Sequence, residues 1–467
     1  MKPRACLYLP WMLLACHTAP DAEDTDVGAV DTDLVGVWNP RMPEAAQAFD
    51  APRGLVARRA VFHLHSPYSH DACDGAGWVN GVMDTTCEAD LRRALCTDRY
   101  DVAFLTDHPD YGDQQTWEAL FHVHPGDELI RGEGDDILAN KITCDDGHVV
   151  LWRQGFEDEL MPVGMRHQIV AATQEERHTI MNASDATAVA AMIEAGGTVM
   201  MAHTESKDPQ RLADLQDAGL HAVEAFNVHA MFAPNIRGDF LGLDPLGFLS
   251  DLGPFTSSSS DAQPDLLFLA VHGQQDVSVA KWDALLQRGP MMATAGADTH
   301  QNVLPAILSD GERVDSYRRG LRWFTTVLLA KSDSLADVDE AVASRRAFIA
   351  FEILGTPRGF DFHLETDAGE VEMGGDSAAT GKLVVTCPTL ASGSPRGEGK
   401  PDISVIVYKD GQEFQQGCGE WPVERGVYRV RVDMVPNHLT EFLGSVPTNL
   451  IKSYPWIYSG AIRVAME

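Results

Sequence analysis

The sequence predicts an α/β chain: a parallel sheet or barrel of βα units up to about residue 352, then a β-rich region. Three observations carry this. Short apolar runs alternate with helical segments through the first part. Those runs end in His or Asp, as Thr198-Val199-Met200-Met201-Ala202 does in His203. Beyond residue 352 the pattern changes to period-two alternation broken by Gly, Pro, Asp and Ser clusters, with no helical stretch of comparable strength.

Taken in order, the chain opens on Lys2 and Arg4 and an apolar run from Leu7 to Leu14, shorter than the roughly 20 residues of a spanning helix. It reads as a secretory signal over residues 1–15. Leu13-Leu14-Ala15-Cys16 resembles the lipobox of bacterial lipoproteins, which implies cleavage before Cys16, lipid on its sulfur and an extracytoplasmic, membrane-anchored protein. Residues 16–50 carry Asp21, Glu23, Asp24, Asp26, Asp31 and Asp33 and read as an acidic tether too polar to fold. Residues 51–352 are the expected barrel and 353–467 the expected β-sandwich.

At 467 residues, 44% hydrophobic and 22% charged, the chain has an ordinary globular composition. Its formal charge of −33 opposes a phosphate backbone and argues against nucleic acid as a partner. Cys6 would leave with the signal and Cys16 would carry lipid, so six of the eight Cys remain, an even number that suits disulfides in an oxidising compartment. Cys387 and Cys418 are an economical local pair; the pairing of Cys73, Cys87, Cys96 and Cys144 stays open. None has zinc-ribbon spacing.

Helices are expected from Ser184 to Glu194, stopped by Gly196-Gly197, from Gln210 to Ala218, ended by Gly219, from Asp276 to Gln287 and from Ser334 to Arg346. Strands are expected between them. In the last region the runs Phe360 to Leu364, Lys382 to Thr386, Ile403 to Tyr408 and Val427 to Val432 read as strands, with Ser392 to Gly399 as a loop.

Fourteen of the 17 His lie between His63 and His300, several at the ends of apolar runs. In Val61-Phe62-His63-Leu64-His65 the period of two sets both imidazoles on one face. Val102 to Leu105 leads into Thr106-Asp107-His108, and Met292 to Ala297 into Asp298-Thr299-His300. In a (β/α) barrel such strand ends are where the active site lies. His178, His221 and His272 are read as surface or core residues, and the second His-x-His, His122-Val123-His124, as part of a solvated strand or loop.

His63-Leu64-His65-Ser66-Pro67-Tyr68-Ser69-His70-Asp71 resembles the opening motif of the PHP (polymerase and histidinol phosphatase) metallohydrolases. Leu105-Thr106-Asp107-His108, Gly132-Glu133, Met201-Ala202-His203 and Gly296-Ala297-Asp298-Thr299-His300 are similar to their later motifs, in order, across residues 55–350. The arrangement, with a tail like Trp456 to Ile462, is also similar to the extracytoplasmic branch of that superfamily that includes carbaryl hydrolase. The resemblance implies a distorted (β/α)7 barrel of PHP type with a C-terminal β-sandwich domain. It further implies two or three divalent metal ions held by His63, His65, His70, His108, Glu133, His148, His203, Asp298 and His300. His167 is the alternative to His148, and Asp71 the alternative to His70. Asp107 would orient His108.

Imidazoles with carboxylates suit Zn, Mn or Fe. Such a site can activate water at neutral pH without a Ser or Cys nucleophile. Asp298, His203 and His300 are the candidate catalytic residues. The expected function is a metal-dependent hydrolase, a phosphoesterase on small phosphate esters. The alternatives are a carbamate or carboxylic ester hydrolase and a non-catalytic metal-binding lipoprotein. Arg131, two residues before Glu133, is a candidate phosphate contact. Oligomeric state is not legible.

Overall fold

In the computed structural model, which describes residues 43–257, 259–391 and 399–465, most of the apolar runs become strands. In chain order they are β1 (Val56–Val61), β2 (Val102–Leu105), β3 (Glu128–Arg131), β4 (Ile137–Thr143), β5 (Val149–Gln154), β6 (Leu160–Val163), β7 (Thr198–Met201), β8 (Ala222–Asn227), β9 (Met292–Gly296), β10 (Thr325–Ala330) and β11 (Ala347–Ala350). The signal, the lipobox and the tether before residue 43 lie outside the described residues. Among the described residues no helix is long and apolar enough to cross a membrane.

Strands β1, β2 and β5 run parallel, and β4 and β3 extend that sheet as an antiparallel hairpin. On the other side of β1, β10 and β11 continue it antiparallel. A second sheet holds β7, β8 and β9 in parallel, with β6 antiparallel against β7. The sheets meet at two single bridges, Leu64 to Thr299 and Gln154 to Met165. The hydrogen-bonded ladders therefore form two sheets, joined to each other only through single bridges. A short connection is part of the reason: only residues 155–159 separate β5 from β6, too few for a crossover helix, so the chain turns back.

Helices fill the longer connections. They are α1 (Thr85–Thr97), α2 (Ala186–Glu194), α3 (Pro209–Ala218), α4 (Asp276–Arg288) and α5 (Leu335–Ala343). Asp185, not the expected Ser184, caps α2 by accepting from the amides of Thr187 and Ala188. Asp208 does the same for α3, which Gly219 ends in the left-handed region at φ 117°. Ser334 caps α5, which stops at Ala343 before Arg346.

The C-terminal strands are β12 (Asp361–Thr366), β13 (Gly369–Glu372), β14 (Gly381–Thr386), β15 (Asp402–Lys409), β16 (Gln412–Gln416), β17 (Gly419–Val423), β18 (Gly426–Val435), β19 (Tyr454–Ser459) and β20 (Ile462–Val464). Four of them form a separate antiparallel sheet in the order β13-β12-β14-β17. The others extend the first sheet: Ile349 of β11 pairs with Tyr458 of β19, and β19 pairs with β18, which pairs with β15 and β20. The large sheet thus crosses residue 352 without interruption. At that point Glu352 takes both Nε and Nη2 of the buried Arg59 of β1, at 2.7 and 2.9 Å. A buried, doubly hydrogen-bonded ion pair compensates the cost of burying each charge only in this one geometry.

The disulfides are Cys73–Cys87, Cys96–Cys144 and Cys387–Cys418. The last is the local pair expected from the sequence, and the first two resolve the pairing left open. Three disulfides are the chemistry of an oxidising, non-cytoplasmic compartment.

Candidate metal centre

Four strand ends converge on one cluster. The chain bends after β1 and bridges at Leu64 to Thr299, and His63 and His65 on either side of that bridge lie in the cluster, fully buried. Asp298 follows β9 by two residues; its amide donates to the His63 carbonyl at 2.9 Å, and the His65 amide donates to the Thr299 carbonyl at 3.3 Å. The two ligand-bearing strand ends are thereby hydrogen-bonded to each other. His203 follows β7 and His108 follows β2. His203 and Asp298 both adopt left-handed backbone, at φ 52° and 48°, a conformation that costs a non-glycine residue energy and recurs at functional sites.

Three overlapping groups of donors result, each with its atoms within 4.8 Å of one another: His65, Asp71, His108 and His300; His63, His65 and Glu157; His63, His203 and Asp298. Asp298 sits between imidazoles on both sides. Its Oδ1 is 3.3 Å from His63 Nε2 and 3.5 Å from His65 Nε2, and its Oδ2 is 3.5 Å from both His203 Nε2 and His229 Nδ1. Asp71 Oδ2 faces His300 Nε2 at 3.4 Å and His108 Nε2 at 3.8 Å.

The tautomers follow from the other ring nitrogens. His63 Nδ1 is 2.7 Å from Glu224 Oε1, His65 Nδ1 3.1 Å from Ser69 Oγ, His108 Nδ1 2.8 Å from the Glu157 carbonyl and His300 Nδ1 2.9 Å from the Asp298 carbonyl. An oxygen on Nδ1 leaves Nε2 as the free lone pair, and this is how ligating imidazoles are normally held. His63 Nε2 and His65 Nε2 face each other at 3.1 Å, with Asp298 Oδ1 beside both. His300 Nε2 and Asp298 Oδ2 are buried and make no hydrogen bond. Buried donor atoms left without partners are costly unless a cation takes them up, so the residues present fit divalent metal.

Electrostatics agree. Burial disfavours a charged His63, yet Asp298, Glu224 and Glu157 outweigh it and hold its pKa up at about 10. His108 is likewise held at about 10, against burial, by Glu157 and Asp71. His65 goes the other way, pushed well down by burial and by His300 and His108. Burial would raise Asp298 and Glu157, but the surrounding imidazoles pull both carboxyls below their usual range. Protons on His63 and His108 stand where a metal's charge would otherwise sit.

Several residues expected from the resemblance lie elsewhere. Glu133 is exposed in the turn between β3 and β4, the outer hairpin of the sheet, where its carbonyl only closes a turn to Asp136. The carboxylate in the cluster is Glu157, three residues past β5 and 1% exposed. His148 precedes β5, at the opposite end of that strand, and bonds the Tyr100 carbonyl at 2.8 Å. The alternative, His167, bonds the Gln168 carbonyl. The imidazole missed in the sequence is His229, in the short helix Val228–Phe232 just after β8. His70 points outward to Asp110 at 3.0 Å, and Asp71 takes its place. Asp107 does not touch the His108 ring; it accepts from the amide and hydroxyl of Ser66 and so fixes the turn after His65. Arg131 pairs with Glu118 on the surface at 2.9 Å.

No family model matches this chain, and no curated protein does. Two solved structures align with it loosely. One is a two-domain protein from Bacteroides vulgatus containing a predicted PHP-like metal-dependent phosphoesterase, 13% identical, covering 90% of this chain and 98% of that one at a TM-score of 0.38. The other is PsfC from Pseudomonas syringae, 13% identical, covering 62% of this chain and 90% of that one at a TM-score of 0.33. Alignments this loose carry no weight for function, which rests on the donor set: His, Asp and Glu clusters of the kind that bind divalent metal.

Proposed function

We propose that this protein is a metal-dependent hydrolase of small esters, with phosphate esters as its substrates, and that it uses water as the nucleophile. One observation carries the reading: four imidazoles, those of His63, His65 and His300 buried and that of His108 partly exposed, each have Nδ1 taken by an oxygen and Nε2 turned toward the carboxylates. His63, His65, Asp71, His108, Glu157, His203, His229, Asp298 and His300 would hold two or three divalent ions. Metal bound there supplies an acidified water and positive charge for the developing oxyanion.

The chain's own residues do the remaining work. Asp298, its two oxygens facing different imidazoles, spans the cluster. His203 and His229, with side chains 23% and 46% exposed, are reachable from solvent and can hold a proton for the leaving oxygen. His300, stacked on His65 at 3.7 Å, keeps that ring in place. The four motifs that resemble the PHP superfamily and whose residues reach the cluster support a phosphoesterase. Arg131 is engaged with Glu118 and offers phosphate no guanidinium, an observation that favours a carbamate or carboxylic ester as the second reading.

The test is metal analysis of the purified protein alongside assays on aryl phosphate, phosphodiester, carbamate and carboxylic esters. About two or more metals per chain and metal-dependent phosphate ester turnover are expected. Turnover confined to carbonyl esters would select the second reading, and turnover that survives loss of His63 or Asp298 would sink both.

A further inference from the structure

Glu224 is a carboxylate of β8, 1% exposed, that belongs to none of the three donor groups yet holds two of their members. Its Oε1 accepts from His63 Nδ1 at 2.7 Å, and its Oε2 accepts from the His203 amide at 2.8 Å and from Asn227 Nδ2 at 2.8 Å. These bonds fix two different things. The first sets the His63 tautomer so that Nε2 faces the cluster. The second pins the amide of a residue whose left-handed backbone, at φ 52°, would otherwise relax and swing the His203 ring away.

A second observation, on the neighbouring strand, points the same way. The pairing of β8 with β9 slips between Glu224 and Phe226, so that Gly296 stands beside the Glu224 carboxylate. A Cβ on Gly296 would collide with Glu224 Oε1 and come within 2.8 Å of Asn227 Nδ2. The backbone there needs no glycine for its φ, since Gly296 is not among the positive-φ residues. The missing side chain is space for the carboxylate.

We infer that Glu224 is the positioning residue of the metal centre, acting on His63 and His203 together, and that Gly296 is the gap that admits it. This rests on the metal-binding reading above. Glu224→Gln keeps the shape but cannot serve both partners: its amide nitrogen must face either His63 Nδ1, reversing the tautomer, or the His203 amide, which is itself a donor.

The experiment is titration of metal-stripped full chain with zinc against a chelator of known affinity, together with nitrogen-15 NMR of the His63 ring. For Glu224→Gln we expect zinc affinity to fall by about 10- to 100-fold, with the metal-free chain still cooperatively folded and the His63 tautomer altered. Gly296→Ala should weaken zinc binding as well, and its effect should largely vanish in the Glu224→Ala background, where the methyl enters vacated space. Zinc bound equally by wild type and Glu224→Gln, with the tautomer unchanged, overturns the positioning role alone. No zinc uptake by wild type overturns the metal reading and this role with it.

Discussion

The chain contains two His-x-His pairs, and they meet different fates. His63 and His65 sit at the end of a buried strand, Nε2 to Nε2 at 3.1 Å, with Asp298 Oδ1 3.3 and 3.5 Å from the two and further imidazoles and carboxylates within reach. His122 and His124 follow a single turn of 3-10 helix and straddle one carboxylate, Glu88 Oε1, at 3.3 and 2.7 Å. The remaining His122 nitrogen bonds Ser66 Oγ at 3.2 Å, and its ring packs against Tyr68 and Trp152. The motif is the same, but His63 and His65 converge with other imidazoles and carboxylates on shared groups of donors, whereas His122 and His124 share one carboxylate and join no such group among the described residues. Spacing nominates a metal site; further imidazoles and carboxylates converging on the same strand end decide it.

The sharpest way to break this contrast is Asp298→Ala. It removes the carboxylate that faces five imidazoles, and metal content and turnover should both fall by more than about 100-fold. Next in size is a pair of carboxylate substitutions: Glu157→Gln should lower metal affinity by about 10-fold or more, while Glu133→Gln leaves it unchanged. Equal losses in the two variants, read by metal titration, would return Glu133 to the site.

A pH series comes third. His63 and His108 are held at about 10 in the metal-free protein, above the ordinary value near 6.5. Groups raised in this way contribute stability that is fully present below about pH 6.5 and is lost as pH rises toward 10. The melting temperature of the metal-free protein should therefore fall across that window. The depressed Asp298 and Glu157 act at the other end, losing their contribution as the solution is acidified below the usual carboxylate range. Metal displaces the imidazole protons, so loaded protein should show no fall toward pH 10, and binding should release protons, measurable in weakly buffered solution.

The smallest effects belong to the second pair. His122→Ala removes a buried ring and should cost about 2 kcal/mol of stability with metal content unchanged. His124→Ala breaks a partly exposed ion pair and should cost less than about 1 kcal/mol. A metal loss in either, by elemental analysis, would mean the two pairs are not different in kind.

The α/β character and the ends of β1, β2, β7 and β9 were legible because apolar runs stop where polar donors begin. The same rule would have found Glu157 after β5 and His229 after β8. A Gly-Glu dipeptide at 132–133 and a Gly-His at 147–148 match a family pattern locally and drew attention away. Between His70 and Asp71 the choice is made by Ser69, whose hydroxyl donates to Asp71 and faces His65 Nδ1, a contact no linear pattern displays. The division into two sheets joined by single bridges, and the C-terminal strands added to the first of them, were not legible either. Both depend on which edges find partners, a matter of long-range pairing and not of local periodicity.

The pairing of β11 with β19 has a consequence for assembly. Until residues 454–459 arrive, more than a hundred positions further along the chain, β11 presents a bare edge two strands away from the one that carries His63 and His65. An uncovered edge is an invitation to another chain. The ligand-bearing half of this protein is thus safe from self-association only once its far end has been delivered, and any proteolytic nick between the two should surface first as aggregation rather than as lost chemistry.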